Sequence, residues 1–205
     1  MEKIRKSGKR HRLLLYRRAM DRLWLATLIL GLLLGFIWLW FWYSDLPLLT
    51  PGNETWLLAG SVVALGFTVF AFLSRTAAYV QPRGDHLRLV TPFLRLNISY
   101  RRIRSVHPAS FQQLFPPNKV SWAQRSFLEP FFGKTAVVVE LTSYPMSPLL
   151  LRLFLAPQMF SPQSHGFVFV IPDWMDFSTE IDTFRSAWMQ LQSRQRSKRK
   201  KAFRR

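Results

Sequence analysis

The sequence predicts an α+β membrane protein, a two-helix transmembrane hairpin followed by an antiparallel β domain capped by a C-terminal α-helix. Three observations predict it. Two uncharged apolar runs, Leu23 to Tyr43 and Trp56 to Ser74, lie in the first half of the 205-residue chain. From Ala78 onward, short stretches alternate apolar and polar residues at period two. A stretch with apolar residues at helical spacing follows, from about Ser178 to Gln192. Composition agrees: 49% of residues are hydrophobic, and 29 Lys+Arg stand against 11 Asp+Glu for a formal net charge of +18. Eighteen Phe and eight Trp exclude a disordered basic chain, so apolar and charged residues must be segregated along the sequence. The absence of Cys excludes disulfides, thiolate metal sites and Cys nucleophiles.

Residues 1–22 form a basic arm with nine Lys/Arg. The first span, residues 23–43, has 21 residues. At about 1.5 Å per residue such a helix reaches roughly the 30 Å of a bilayer core. A signal peptide would have a shorter apolar region ending in small residues. This run ends in Trp38, Trp40, Trp42 and Tyr43, which with Trp56 read as interfacial aromatics. The loop 44–55 carries Pro47, Pro51 and Gly52 and no basic residue, so it turns the chain sharply. Its Asn53-Glu54-Thr55 fits the glycosylation acceptor pattern, one short enough to arise by chance. The second span, residues 56–74, is followed by Arg75 and Arg83. The basic bias then places both termini in the cytoplasm of a multi-pass cell-membrane protein. Gly31-x-x-x-Gly35 and Gly60-x-x-x-Ala64 permit close helix approach, either within the hairpin or, as the weaker reading, in a homo-oligomer. No charge interrupts either span, which argues against an ion path through the membrane.

Residues 75–193 are expected to form a cytoplasmic β domain. Strands are predicted at Ala78 to Gln81, His86 to Thr91, Leu94 to Tyr100, Ile103 to His107, Thr135 to Thr142, Leu149 to Leu155 and Gly166 to Ile171. Gly84-Asp85 and Pro92 mark turns. In the final helix Ile181, Phe184, Trp188 and Leu191 form the apolar stripe, with Asp176 or Ser178 as N-cap. Residues 194–205 (RQRSKRKKAFRR) are basic at eight of twelve positions and lack apolar periodicity, which predicts a disordered tail.

The order of parts resembles the bacterial pleckstrin-homology-like (PH-like) membrane proteins. The likeness rests on the hairpin, on H-L-R-L-V-T after Gly84, and on Ile98, Tyr100, Ile103, Ser105 and Val106 in a following i-x-y-x-x-I-x-s-v segment. It covers roughly Ala78 to Leu191. The resemblance implies a bent seven-stranded antiparallel barrel or sandwich closed by the C-terminal helix, and a binding or scaffolding role without catalytic residues. Around the first β-hairpin, where eukaryotic pleckstrin-homology domains often hold phosphoinositides, this chain offers only Arg83 and Arg88 beside Asp85. It departs from the pattern in the long aromatic connection from Phe111 to Lys134, which either dips into the membrane interface or folds over the core.

Four scattered His (His11, His86, His107, His165) show no ligand spacing, and no nucleophile elbow or phosphate loop is present. Asp173, Asp176, Glu180 and Asp182 form the one dense carboxylate cluster. Helix capping is its ordinary use, and a metal-dependent membrane enzyme is the alternative it leaves open. No cofactor is called for. The candidate contact residues for anionic headgroups or an acidic partner are Arg101, Arg102 and Arg104 on the domain, and Arg194, Arg196, Lys198, Arg199, Lys200, Lys201, Arg204 and Arg205 in the tail. Each Lys/Arg near an anionic surface is worth about 1 kcal/mol. The expected partners are the bilayer, its anionic lipids and a protein of unknown identity. A nucleic acid is the rival, since a basic tail binds any phosphate backbone.

Overall fold

In the computed structural model, which describes residues 7–44 and 54–203, the chain divides into two compact units. One is residues 16–77, and the other joins residues 78–205 to the N-terminal segment through Leu15. The first unit contains α1 (Leu14–Ser44, whose first two residues belong to the other unit) and α2 (Glu54–Ser74). Both helices are long and apolar enough to cross a membrane. Only 6% and 22% of their most apolar windows are buried, whereas the core helix of a soluble protein would be mostly covered. α1 starts nine residues before the uncharged run, and its first turns carry Arg17, Arg18, Asp21 and Arg22. Asp21 lies 3.9 Å from Arg17 and 3.6 Å from Arg75, which ties the charged ends of the two helices together. Most of loop 44–55, Asn53 included, lies outside the described residues.

The two helices pack through small residues. Ser61 Oγ donates to the Gly31 carbonyl at 2.8 Å and Thr68 Oγ1 to Thr27 Oγ1 at 2.9 Å, partners in reverse order, as antiparallel helices require. A Cβ on Gly31 would stand 2.9 Å from the Leu65 side chain, and one on Gly35 would stand 3.0 Å from Ser61 Oγ. Gly60 faces Leu34, and Ala64 is buried.

The second unit holds two antiparallel sheets. The first is a four-stranded meander of β1 (His11–Arg12), β2 (Tyr79–Pro82), β3 (His86–Val90) and β4 (Arg95–Ser99). Period-two alternation directs Leu87, Leu89, Leu96 and Ile98 inward and leaves Arg95 and Asn97 exposed. After a 3₁₀ turn at Tyr100–Arg102, β5 (Ile103–Ser110), β6 (Thr135–Leu141) and β7 (Gly166–Val170) form the second sheet. The sheets do not join into one closed barrel. Tyr100 helps fix the corner, its buried hydroxyl donating to the Arg83 carbonyl at 2.6 Å. Both faces of the second sheet are buried, with Val137, Val139, Phe167 and Phe169 on one side and Ala136, Val138, Val168 and Val170 on the other.

Seven strands form among the described residues, but their membership differs from the sequence prediction. β1 comes from the basic arm, where no strand was expected. Leu149 to Leu155, expected as a strand, is instead α5 (Pro148–Phe154). Pro148 suits the first helical turn, and Leu151 and Leu155 turn inward at a spacing of four. The Phe111–Lys134 connection forms α3 (Phe111–Leu114) and α4 (Trp122–Leu128) and buries Phe111, Leu114, Leu128 and Phe131 in the domain. α4 opens on a capping box between Ser121 and Gln124.

The final helix, α6 (Trp174–Phe203), starts four residues before the predicted one and continues through most of the segment expected to be disordered. The predicted N-caps therefore fall inside it, with Asp176 in its first turn. Phe177, Ile181 and Phe184 form its buried stripe, and Phe177 meets Phe169 of β7 edge-on at 6.0 Å. Trp188 is half-buried beside Tyr100, while Leu191, expected in the stripe, is exposed.

Candidate functional site

The carboxylates at the start of α6 are occupied by the N-terminal arm. β1 pairs His11 with Val80 and Arg12 with Tyr79, and Gly8 N–H donates to the Pro82 carbonyl at 2.8 Å. This path brings the Lys9 amide to 3.0 Å from Glu180 Oε1 and His11 Nε2 to 3.1 Å from Glu180 Oε2. The Lys9 ammonium lies 3.6 Å from Asp176 and 3.9 Å from Asp173. Gly8 lets the carboxylate sit directly on the backbone, since a Cβ there would stand 2.6 Å from the Glu180 carboxylate and push that side chain aside. Three of the four carboxylates are thus matched within the fold, while Asp182 is exposed one residue beyond the buried Ile181. Among the described residues no group of three or more His, Asp or Glu is placed to hold a metal ion.

The three domain arginines do not converge on one point. Arg101 and Arg102 are exposed on the 3₁₀ turn, where Arg102 Nη1 donates to the Tyr144 carbonyl at 3.2 Å. Arg104, on β5, lines a cleft of about 550 Å³ with Glu140, Leu141, Thr142, Ser164 and His165. Its carbonyl accepts from Arg185 Nη2 of α6 at 2.8 Å. Glu140 is held by the Ser105 hydroxyl at 2.6 Å. That hydroxyl first, then the Ser164 hydroxyl, keeps the carboxyl below the usual carboxylate range, with His107 and Arg104 adding to the effect. The carboxylate of the cleft is thus held in its charged form chiefly by hydroxyl donors.

The C-terminal part of α6 carries the densest run of basic residues. Beyond half-buried Trp188 the helix continues to Phe203 and carries Arg194, Arg196, Lys198, Arg199, Lys200 and Lys201. Arg204 and Arg205 lie outside the described residues. Arg194, Lys198 and Lys201 follow one another at i, i+4 and i+7 along the helix. Helix geometry compresses residues 194–201 into roughly 10 Å of axis, at about 1.5 Å per residue, where extended chain would spread them over more than twice that length. The structure thus concentrates the cations that the sequence placed on a disordered tail.

In the first unit Gly31, Gly35, Gly60 and Ala64 lie along the packing of α1 against α2. Trp40, Trp42, Tyr43 and Trp56 are exposed, and Trp38 is half-exposed with its ring 5.7 Å from that of Trp42. These rings sit where α1 ends and α2 begins.

Two features escaped sequence reasoning. The clasp of the arm on Glu180 joins residues 169 positions apart and leaves no local signal. The outward apolar face of α5 was hidden by reading that segment as a strand. Compared with protein-family models, with curated proteins and with solved structures, the chain matches none. The functional reading accordingly rests on the residues described above.

Proposed function

We propose that the chain is a non-enzymatic, multi-pass membrane scaffold whose cytoplasmic PH-like domain presents a polybasic helix to an anionic surface. The observation that carries this reading is the continuation of α6 to Phe203, well beyond Phe184, its last buried side chain among the described residues, so that the basic run lies on a helix. The order of a four-stranded meander, a three-stranded meander and a terminal helix against the second sheet supports the PH-like reading. Engagement of Asp173, Asp176 and Glu180 by the arm supports a structural role for the carboxylates.

Strand pairing supports the two-span topology. β1 ends just before α1, β2 begins just after α2, and Leu13 N–H donates to the Ala78 carbonyl at 3.3 Å. Residues paired in this way lie on one side of a membrane, so the intervening helices cross it an even number of times. The nine Lys/Arg of the basic arm, against none in the loop 44–55, support the cytoplasm as that side.

The test uses the full chain in nanodiscs. The chain has no Cys, so Ser197→Cys gives a unique site for an environment-sensitive fluorophore on exposed α6. Phosphatidylglycerol discs should give a desolvated signal that disappears in high salt, and phosphatidylcholine discs should not. A signal identical in both lipids refutes the reading. Displacement of the helix from anionic discs by a low concentration of oligonucleotide would favour a nucleic-acid partner instead.

A further inference from the structure

α5 is apolar on both of its sides. Leu151 and Leu155 at its end are its buried stripe, whereas Leu149 and Leu153 are 79% and 74% exposed and Leu150 and Phe154 are exposed beside them. Arg152 is the single polar residue in its sequence PLLLRLF. A helix apolar all round belongs in a core or in lipid, and this one has only one side in the core. The outward face is a patch of a few hundred Å², at the upper end of what soluble monomers expose.

We propose that this face is an interfacial anchor, seated at the headgroup–acyl boundary of the bilayer. Three observations select the bilayer as its occupant. The chain carries two helices of membrane-spanning length and apolarity, so the domain meets lipid at high effective concentration. Cations lie on the helix and on the approach to it. Arg152 lies on α5 itself, and Arg102 reaches the Tyr144 carbonyl, four residues before the helix, with exposed Arg101 beside it. Exposed Leu and Phe rimmed by Arg are the composition of a membrane-surface helix facing anionic headgroups. The patch also falls short of the roughly 800 Å² per partner that a standard protein interface buries, which disfavours a second copy.

The inference rests on the membrane-anchored reading above but concerns a different element from the polybasic helix, and is probed at a different position. The full chain carrying Leu153→Cys, labelled with a nitrobenzoxadiazole dye, is placed in phosphatidylcholine–phosphatidylglycerol nanodiscs with and without lipid bearing a nitroxide on its acyl chain. Leu149→Cys is a second position on the patch, and Gln163→Cys is an exposed control in the same unit. The patch labels should emit to the blue of the control and lose about half or more of their intensity to the nitroxide, as a shallowly inserted face would. Patch labels that behave like the control overturn the proposal. So does a blue-shifted label that the nitroxide leaves untouched and that forms an intermolecular disulfide when unlabelled, the signature of a second copy. A contact signal at position 197 without one at 149 or 153 overturns the anchor alone, whereas silence at all three overturns the surface reading with it.

Discussion

Replacing Glu180 with Ala tests the clasp between the arm and the last helix. Glu180 accepts from the Lys9 amide and pairs with His11, whose side chain is only 2% exposed. The His11 ring is closed in by Phe177, 5.0 Å away edge-on, so the substitution leaves a buried imidazole nitrogen without a partner. An orphaned buried polar group costs about 1–3 kcal/mol, while the exposed Lys9 amide regains water and loses about 1 kcal/mol or less. The expected sum of about 1–4 kcal/mol lowers Tm by roughly 3–12 °C for a unit of this size. Asp176→Asn is the comparator. Its pair with Lys9 spans 3.6 Å between side chains that are 69% and 61% exposed. With the helix-dipole contribution it should cost about 1 kcal/mol or less. The assay is thermal unfolding of the full chain in detergent micelles, with hydrogen exchange followed at the Gly8 and Leu13 amides, which donate to Pro82 and Ala78. Glu180→Ala should speed exchange at both. Equal stability of the two variants, or unprotected Gly8 and Leu13 amides in the parent chain, would refute the clasp.

Two further predictions follow from the second unit. Leu151→Ala should cost about 2–5 kcal/mol, because Leu151 is fully buried, and Leu153→Ala about 0.5 kcal/mol or less; equal costs would restore the strand reading, in which 149, 151 and 153 share a face. Glu140 titrates below the usual carboxylate range, so its charged form stabilises the fold fully above the ordinary value near ~4.3 and that contribution is lost as pH falls through the lowered value. Ser105→Ala removes the leading cause, so an NMR titration should show the Glu140 midpoint rising toward the ordinary value, and an unmoved midpoint would discard the Ser105 hydroxyl as its source.

The legible parts of the fold were those in which one local pattern decides the outcome. A run of 21 residues without charge leaves few alternatives to an apolar helix, and H-L-R-L-V and R-L-N-I-S announce half-buried strands through alternation. Leu149 to Leu155 was misread because an almost wholly apolar run has no period, and only the tertiary fold determines which leucines turn inward. Arg194 to Phe203 was read as coil because it lacks apolar periodicity, although Arg, Lys and Gln are good helix formers that extend a helix already nucleated by Phe177, Ile181 and Phe184. The candidate cations were named from the sequence. Their separation into the 3₁₀ turn, the β5 cleft and the free helix depends on strand register, which composition does not carry.

β1 has the largest consequence for how the protein is handled. Its partner β2 follows only after both apolar helices, so the helical hairpin is an insertion between neighbouring strands of one sheet. Closing a flexible loop over residues 13–78 would cost entropy that grows with its length. An antiparallel helix pair, locked by Ser61 on Gly31 and Thr68 on Thr27, already returns the chain to its starting side and removes most of that cost. The sheet accordingly completes only after the second helix has been made, with the arm waiting for β2. A soluble fragment beginning at Arg75 is then not the folded domain. It lacks the strand that covers the edge of β2 and the Lys9 and His11 that answer Asp173, Asp176 and Glu180. An uncovered strand edge is a template for aggregation, so membrane binding measured on such a fragment would report the exposed edge as much as the polybasic helix. Supplying residues 7–13 through a short linker in place of the hairpin restores both the edge and the carboxylate partners, and that circumvents the insertion without altering the sheet.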